Sequence, residues 1–162
     1  MPTPNAILNR LLENEVAFVL VGGLAAVAYG VSTMTQDIDV CVDFEPDNLG
    51  KILKALEGIH PRVRAGGGLI PLEEYEPMRL AELGNIYVRT DLGELDLLGR
   101  VSGIGGYQDV KARAVSIELF GRSCPILSLD ALIQAKEAMD RRKDMQVALE
   151  LRAIREKLRN PG

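Results

Sequence analysis

The hydrophobic pattern of the first fifty residues predicts a strand, a short helix and a second strand in close succession. Residues 16–21 form an unbroken apolar run that ends at Gly22-Gly23, which is typical of a strand buried on both faces. Residues 24–29 are alanine-rich helix formers that stop at a glycine. Residues 37–42 then alternate acidic and apolar side chains, which indicates a strand with one polar face. This succession brings a glycine pair and an acidic strand into one compact unit.

The rest of the pattern predicts further helices and two hairpins. Apolar residues at helical spacing cover 5–14, 46–58, 107–113, 128–139 and 145–158, and short strand patterns cover 85–90, 94–98, 115–119 and 123–127. Residues 60–77 have no period and contain repeated glycine and proline, so we expect a mobile loop with one helical turn. These elements predict an α/β (α+β) fold. We expect a core over residues 1–127, with C-terminal helices over residues 128–162 packed on the same domain.

Composition narrows the chemistry that this fold can support. A chain of 162 residues with 47% hydrophobic content is long enough for one domain with a sizeable core. The net charge of −4 provides no global positive field, so a polyanionic substrate would need a local basic patch or metal ions. The single histidine, His60, excludes triads and zinc sites that need several. Catalysis would therefore depend on carboxylates, lysine and arginine.

The cysteines and the apolar segments indicate a compartment. Cys41 and Cys124 lack the spacing of metal ligands, and reduced cytosolic thiols are the expected state of both. The first ten residues lack the features of a signal peptide, and no window approaches the roughly eighteen apolar residues of a membrane span. We therefore expect a cytoplasmic protein with no membrane contact.

Acids on two predicted strands form the candidate chemistry. Because side chains alternate along a strand, Asp37 and Asp39 should share one face. Two adjacent carboxylates repel each other unless a cation lies between them, and magnesium prefers oxygen ligands. Asp96, on a neighbouring strand, could complete a site for two ions held about 4 Å apart, with Glu94 as the alternative third acid. Such a site could bind a triphosphate and activate an attacking hydroxyl.

The glycine pair is compatible with the same chemistry. Gly22-Gly23, where a strand ends and a helix begins, would let backbone N–H groups approach a phosphate.

Each of these candidate features also has a purely structural interpretation. The acids could be solvent-exposed positions on an edge strand, and the glycines could serve a tight turn. Lys136 and residues 141–144 could be a solvated helix face with weak ion pairs.

Together these motifs resemble the polymerase-beta-like nucleotidyltransferase superfamily, in which a glycine pair precedes Asp-x-Asp by about a dozen positions. Gly22-Gly23 followed by Asp37-Ile38-Asp39 has this spacing. The longer run to Tyr29-Gly30 resembles small bacterial abortive-infection and minimal nucleotidyltransferases. The resemblance continues at residues 94–98, which match the strand of the third carboxylate, and at residues 127–144, which match a helical segment with Lys136 and a basic-acidic cluster.

The resemblance implies a mixed β-sheet nucleotidyltransferase core and transfer of a nucleoside monophosphate to a hydroxyl. Asp37, Asp39 and Asp96 would be catalytic and bind Mg²⁺ or Mn²⁺, while Gly22, Gly23 and Lys136 would bind the nucleoside triphosphate. The acceptor could be RNA, a protein or a small molecule. A toxin with an antitoxin partner is one implied role, and a non-catalytic nucleotide-binding or partner-binding module of the same fold is the alternative.

One position departs from the pattern of that family. Thr33 stands where related proteins often carry an arginine, two residues before the threonine that precedes Asp-x-Asp. If that arginine holds phosphate, the task falls to another cation such as Lys136 or Arg100, or is not performed. This departure favours the non-catalytic alternative, whereas the intact acids favour an enzyme.

Overall fold

The chain forms a mixed β-sheet with helices packed on it, in a computed structural model that describes residues 3–33, 35 and 37–161. The helices are α1 (Pro4–Glu13), α2 (Gly22–Tyr29), α3 (Pro46–Ala55), α4 (Pro77–Ala81), α5 (Tyr107–Ala112), α6 (Leu129–Met139) and α7 (Arg142–Arg159). The strands are β1 (Phe18–Val21), β2 (Ile38–Val42), β3 (Arg62–Ala65), β4 (Gly68–Pro71), β5 (Asn85–Thr90), β6 (Gly93–Leu98), β7 (Arg100–Val101), β8 (Gly105–Gly106), β9 (Ala114–Leu119) and β10 (Arg122–Leu127). The α/β prediction with a mixed sheet and C-terminal helices is confirmed.

The main sheet has the strand order β4-β3-β5-β6-β2-β1-β10-β9. β1 is parallel to β10 and β2 is parallel to β6, whereas the other neighbouring strands are antiparallel. The parallel pairs join segments that are far apart in sequence. β6 therefore lies directly beside β2, although about fifty residues separate them.

Alternation along the strands separates a buried face from a polar one. Ile38 and Val40 on β2, and Leu95 and Leu97 on β6, are fully buried. Asp39 on β2 and Asp96 on β6 lie between these apolar residues, so their side chains point to the opposite face of the sheet. The apolar face explains why the acidic strands hold their register, since a slip of one residue would bury the carboxylates.

The C-terminal helices pack on α2. Ser128 caps α6 as its hydroxyl accepts a hydrogen bond from the Ala131 amide at 3.3 Å, which confirms the predicted helix start. The hydroxyl of Tyr29, at the end of α2, donates to the Leu127 carbonyl at 2.8 Å. Glu150 on α7 accepts a hydrogen bond from the Ser32 amide at 3.1 Å, so α7 is tied to the segment after α2.

The prediction of a mobile loop over residues 60–77 is wrong. β3 and β4 form a hairpin there, followed by a 3-10 turn at Leu72–Glu74 and by α4. Gly66 and Gly67 have φ values of +58° and +82°, which suit a two-residue turn that needs positive φ at both positions. Val63 is buried while its neighbours on β3 point outward, so the segment does alternate, over a stretch too short to detect.

None of the helices in the described part of the chain is both long enough and apolar enough to cross a membrane. Cys41 and Cys124 are buried free thiols.

Candidate active site

Two of the predicted acids lie side by side on the polar face of the sheet. Asp39 and Asp96 are direct partners in the parallel β2–β6 pairing, and each carboxyl group shifts the pKa of the other. Asp37 lies just before β2, where its side chain is exposed and its charge acts on both members of the pair. The structure thus brings together residues that are 57 positions apart, because β6 lies between β5 and β2 in the sheet.

Burial and mutual repulsion shift the acidity of this pair. Burial and the Asp39 carboxylate together raise the pKa of Asp96 to about 7, against the opposing charge of Arg64. Burial also raises the pKa of Asp39, although the Asp96 hydrogen bond and the charge of Lys136 oppose the shift. Ionising both carboxyl groups at once is therefore unfavourable unless a cation lies between them.

Gly22 is packed directly against the acid pair. It has a φ of +71°, in the left-handed region that favours glycine, and a Cβ built at this position would overlap the Asp39 carboxylate. Gly23 lies beside Thr35, whose hydroxyl oxygen would be 3.3 Å from a Cβ at that position. The pair opens the eight residues of α2, so their amides lie at its N-terminus, next to the carboxylates. Whether those amides bind phosphate stays a prediction.

A cleft of about 530 Å³ opens over the acids. Asp37, Asp39 and Asp96 line its sheet side, and Lys136, Arg141 and Lys143 of the C-terminal helices line the other. A neighbouring lobe of about 300 Å³ shares Asp39 and Lys136 and extends to Gly22 and Arg100. Thr33 also lines the larger cleft. The cleft has the mixture of acids and cations that a metal-bound triphosphate would require.

Lys136 is held by a buried carboxylate rather than lying on a solvated helix face. Its Nζ is 3.5 Å from the Asp144 Oδ1, and only 12% of the lysine side chain and 1% of the aspartate side chain are exposed. Arg141 contributes a second contact, with its Nη2 at 3.2 Å from the same oxygen. Burial disfavours the ionised form of Asp144, but hydrogen bonds from Arg141 and Lys136 lower its pKa. The run of charged residues at 141–144 did not indicate that Lys136 and Asp144 are buried.

The β3–β4 hairpin adds Arg64 to the site, which the sequence analysis placed in a loop. Its Nη2 is 3.7 Å from the Asp96 Oδ1, and its guanidinium lies 5.7 Å from the centre of the Tyr87 ring. Tyr87 is the direct partner of Asp96 in the β5–β6 pairing. Arg62 and Arg64 alternate with the buried Val63, but this stretch is too short to indicate a strand by itself.

Glu94 shares the face of Asp96 but has a different partner. Its carboxylate is 3.2 Å from the Arg89 Nη2 on the adjacent strand, and it does not line the cleft. Asp96 is therefore better placed than Glu94 to act as the third acid.

The donor set of the acid pair is suited to a divalent metal ion. Asp39 and Asp96 supply hard oxygen ligands whose mutual repulsion a cation would relieve. Over the described residues, however, no three His, Cys, Asp or Glu side chains are grouped closely enough to hold a metal ion. Joint metal binding by Asp37, Asp39 and Asp96 thus stays a prediction that requires Asp37 to turn toward the pair.

Several solved structures of nucleotidyltransferases share this fold. The chain is similar to the lincosamide antibiotic adenylyltransferase LnuA bound to lincomycin, with a TM-score of 0.64 and 17% identity over 94% of this chain and 98% of that one. It is also similar to a nucleotidyltransferase from Thermotoga maritima, with a TM-score of 0.55 and 17% identity over 93% and 94% of the two chains. For ANT(2")-Ia in complex with adenylyl-2"-tobramycin, the TM-score is 0.54 and the identity 16%, over 98% and 95%.

Searches by sequence add no relative: no protein-family model matches the chain, and no curated protein matches it either. The likeness is therefore one of architecture, and it covers nearly the whole length of each partner. The chain shares the fold of these solved nucleotidyltransferase structures.

Proposed function

We propose that the protein is a metal-dependent nucleotidyltransferase that moves a nucleoside monophosphate from a nucleoside triphosphate to a hydroxyl acceptor. The observation that carries this proposal is the placement of Asp39 and Asp96 as direct partners on adjacent parallel strands, with Gly22 packed against Asp39. Such a pair needs a cation to be fully ionised, and it lies in a cleft lined by further cations. The shared fold of antibiotic adenylyltransferases supports the same chemistry.

Each side chain would have a distinct task. Asp37, Asp39 and Asp96 would hold Mg²⁺ or Mn²⁺, which when bound stabilises negative charge on the phosphates. The backbone amides of Gly22 and Gly23 at the start of α2 would bind the phosphates, and Lys136 would contact them. Asp96 would orient the acceptor hydroxyl and accept its proton. The hydroxyl oxygen forms a bond to the α-phosphorus, and the bond to the β-phosphate breaks to release pyrophosphate.

Transfer of label from a triphosphate is the direct test. Asp39→Asn and Asp96→Asn should each lower the transfer rate by at least about a hundredfold in the presence of Mg²⁺, since each removes a charged oxygen from the reacting centre. Glu94→Gln is the matched control, because Glu94 lies on the same face of β6 but is bonded to Arg89. We expect its transfer rate to stay within a few-fold of the unaltered protein. Equal losses in all three variants would contradict the assignment of Asp96.

A non-catalytic module of the same fold is the second candidate, and Thr33 favours it. This side chain lines the cleft at a position where related proteins often carry arginine. Calorimetry with triphosphates and Mg²⁺ separates the two candidates when combined with the transfer assay. Binding without transfer to any acceptor would support the module, and no binding at all would contradict the enzyme.

The acceptor class and the biological role are finer proposals. The similar structure of LnuA holds lincomycin and that of ANT(2")-Ia holds adenylyl-2"-tobramycin, which supports a small-molecule acceptor for this chain. A toxin that modifies RNA or a protein, paired with an antitoxin, is the role that the sequence resemblance supports. Growth arrest on induction of the unaltered chain, absent in Asp39→Asn and relieved by a co-expressed neighbouring gene product, would support that role.

A further inference from the structure

Three arginines form a basic surface next to the acid pair. Arg62 on β3 and Arg89 on β5 are direct partners in the antiparallel pairing, and Arg64 lies two residues further along β3 on the same face. We call these three residues the basic hairpin face. Like charges directly opposite each other in a sheet are destabilising, so this arrangement breaks a rule of strand pairing. Departures of this kind from the rules of strand pairing are expected at functional sites.

The charges of this face are only partly compensated. Arg64 contacts Asp96, and Arg89 contacts Glu94. Among the described residues, Arg62 has no carboxylate within ion-pair distance, and its Nε donates to the His60 carbonyl at 3.2 Å. The Asp96 contact would be lost when that carboxylate engages a metal ion or a substrate. The face would then present two unpaired arginines to an acceptor.

The basic hairpin face lies on the side of the acids opposite the cations of the C-terminal helices. Asp39 pairs with Asp96 on β6, and Asp96 pairs with Tyr87 on β5. β5 in turn pairs with β3, which carries Arg62 and Arg64. Adjacent strands are about 4.8 Å apart, so the β3 arginines begin about 10 Å from the strand of Asp96. A concavity of about 410 Å³, lined by Arg64, Arg89 and the glycine turn, continues the surface outward.

Lys136 and Arg141 line the other side of the cleft, where the triphosphate is proposed to bind. The hairpin side is therefore left for the acceptor. Tyr87 lies between the acids and the arginines with 39% of its surface exposed, and its ring could support a base or sugar ring. A polycationic acceptor would be repelled by three arginines, whereas a phosphate group would be attracted.

We propose that the basic hairpin face binds a phosphate of the acceptor, so that the acceptor carries a phosphate group in addition to its reacting hydroxyl. This inference rests on the proposed function. The hydroxyl oxygen attacks the α-phosphorus of the triphosphate, its proton passes to Asp96, and pyrophosphate leaves with the electrons of the broken bond. Two sources of this chemistry exist: the end of a single-stranded nucleic acid, and a phosphorylated small molecule.

Two single variants and a matched control test the surface. Arg62→Ala and Arg89→Ala leave every residue that contacts the acid pair in place. Arg122→Ala is the control, because Arg122 is also a strand arginine in one exposed ion pair, with its Nη1 at 3.3 Å from Glu13. The probes are a fluorescent oligoribonucleotide of about ten nucleotides with a free 3′ hydroxyl, and ribose 5-phosphate. Affinity is measured without triphosphate at several salt concentrations, and transfer with Mg²⁺ and labelled triphosphates.

We expect Arg62→Ala and Arg89→Ala each to weaken oligoribonucleotide binding about tenfold, and Arg122→Ala to leave it unchanged. The slope of log affinity against log salt should fall by about 0.7 for each arginine removed, as expected for one phosphate contact on a single strand. The same loss for ribose 5-phosphate would mean that one phosphate suffices, and no binding of ribose 5-phosphate would identify a nucleic acid strand. Both results support the proposal.

Unchanged affinity and transfer in Arg62→Ala and Arg89→Ala would overturn the proposal, as would efficient transfer to an unphosphorylated or polycationic acceptor. Failure of the proposed function is a separate result. It would appear as no binding of triphosphate with Mg²⁺ to the unaltered protein, whereas the oligoribonucleotide affinities are measured with no triphosphate present. The two failures are therefore distinguishable.

Discussion

At the scale of single residues, Gly22 and Asp39 depend on each other. The sequence suggested that Gly22 leaves space for a phosphate, but the nearest group to its missing Cβ is the Asp39 carboxylate. The absence of a side chain therefore allows the carboxylate to pack against the start of α2. This contact fixes Asp39 beside Asp96 before any ligand binds, which is the kind of preorganisation that a reacting centre requires.

Gly22→Ala should therefore be more damaging than a substitution that only strains the backbone. Gly58→Ala is the matched control, because Gly58 has a φ of +87° and nothing lies within 4 Å of a Cβ built there. We expect Gly58→Ala to lose about 1–2 kcal/mol of unfolding free energy from positive φ alone. Gly22→Ala should lose more than this and should also weaken triphosphate binding. Urea unfolding and calorimetry measure the two effects, and equal losses of stability would argue against the contact.

At the scale of elements, the sequence predicted most strands and helices but missed the hairpin that bounds the site. Long periodic segments such as α7 were found because their apolar spacing repeats many times. β3 and β4 have four residues each, and the surrounding glycines and prolines suggested a loop. The structure places Asp96 beside Asp39, where the third acid was expected, whereas alternation alone predicted only the face on which each acid lies. Arg64 could not be placed, since its position depends on pairing between β3 and β5 rather than on local pattern.

The conformation of the hairpin turn gives a test at this scale. A Cβ at Gly66 or Gly67 meets no atom within 4 Å, so substitutions there act through the backbone alone. Gly67→Ala should raise the free energy of the closed hairpin by about 1–2 kcal/mol. Gly66→Asn should be tolerated, because asparagine accepts positive φ and suits the first position of such a turn. Hydrogen exchange of the β4 amides should become about tenfold faster or more in Gly67→Ala and stay nearly unchanged in Gly66→Asn. Equal exchange in the two variants would refute this description of the turn.

At the scale of the whole molecule, one buried carboxylate connects the C-terminal helices to the cleft. Asp144 begins α7 and is paired with Lys136 of α6 and with Arg141 between them, while α2 packs against both helices. A buried acid with two cationic partners fixes the angle between these helices through its hydrogen bonds. Because Lys136 and Arg141 also line the cleft, the packing of α6 and α7 on α2 sets the positions of the cations that face Asp39.

Asp144→Asn should destabilise the protein by about 3 kcal/mol at pH 7, because it leaves the nearly buried Lys136 ammonium without its counter-charge. Asp130→Asn is the matched control, since Asp130 joins the same two helices through Arg155 at 2.9 Å but is 59% exposed. That exposed pair should contribute less than about 1 kcal/mol. The Asp144 pKa is lowered in the folded state, so its stabilisation is present above the unfolded value of 3.8 and is lost as the pH falls through the folded value. Urea unfolding should therefore show a large deficit for Asp144→Asn at pH 7 that shrinks at about pH 3. A deficit that is the same at both pH values would mean that the variant acts through packing rather than through the carboxylate charge.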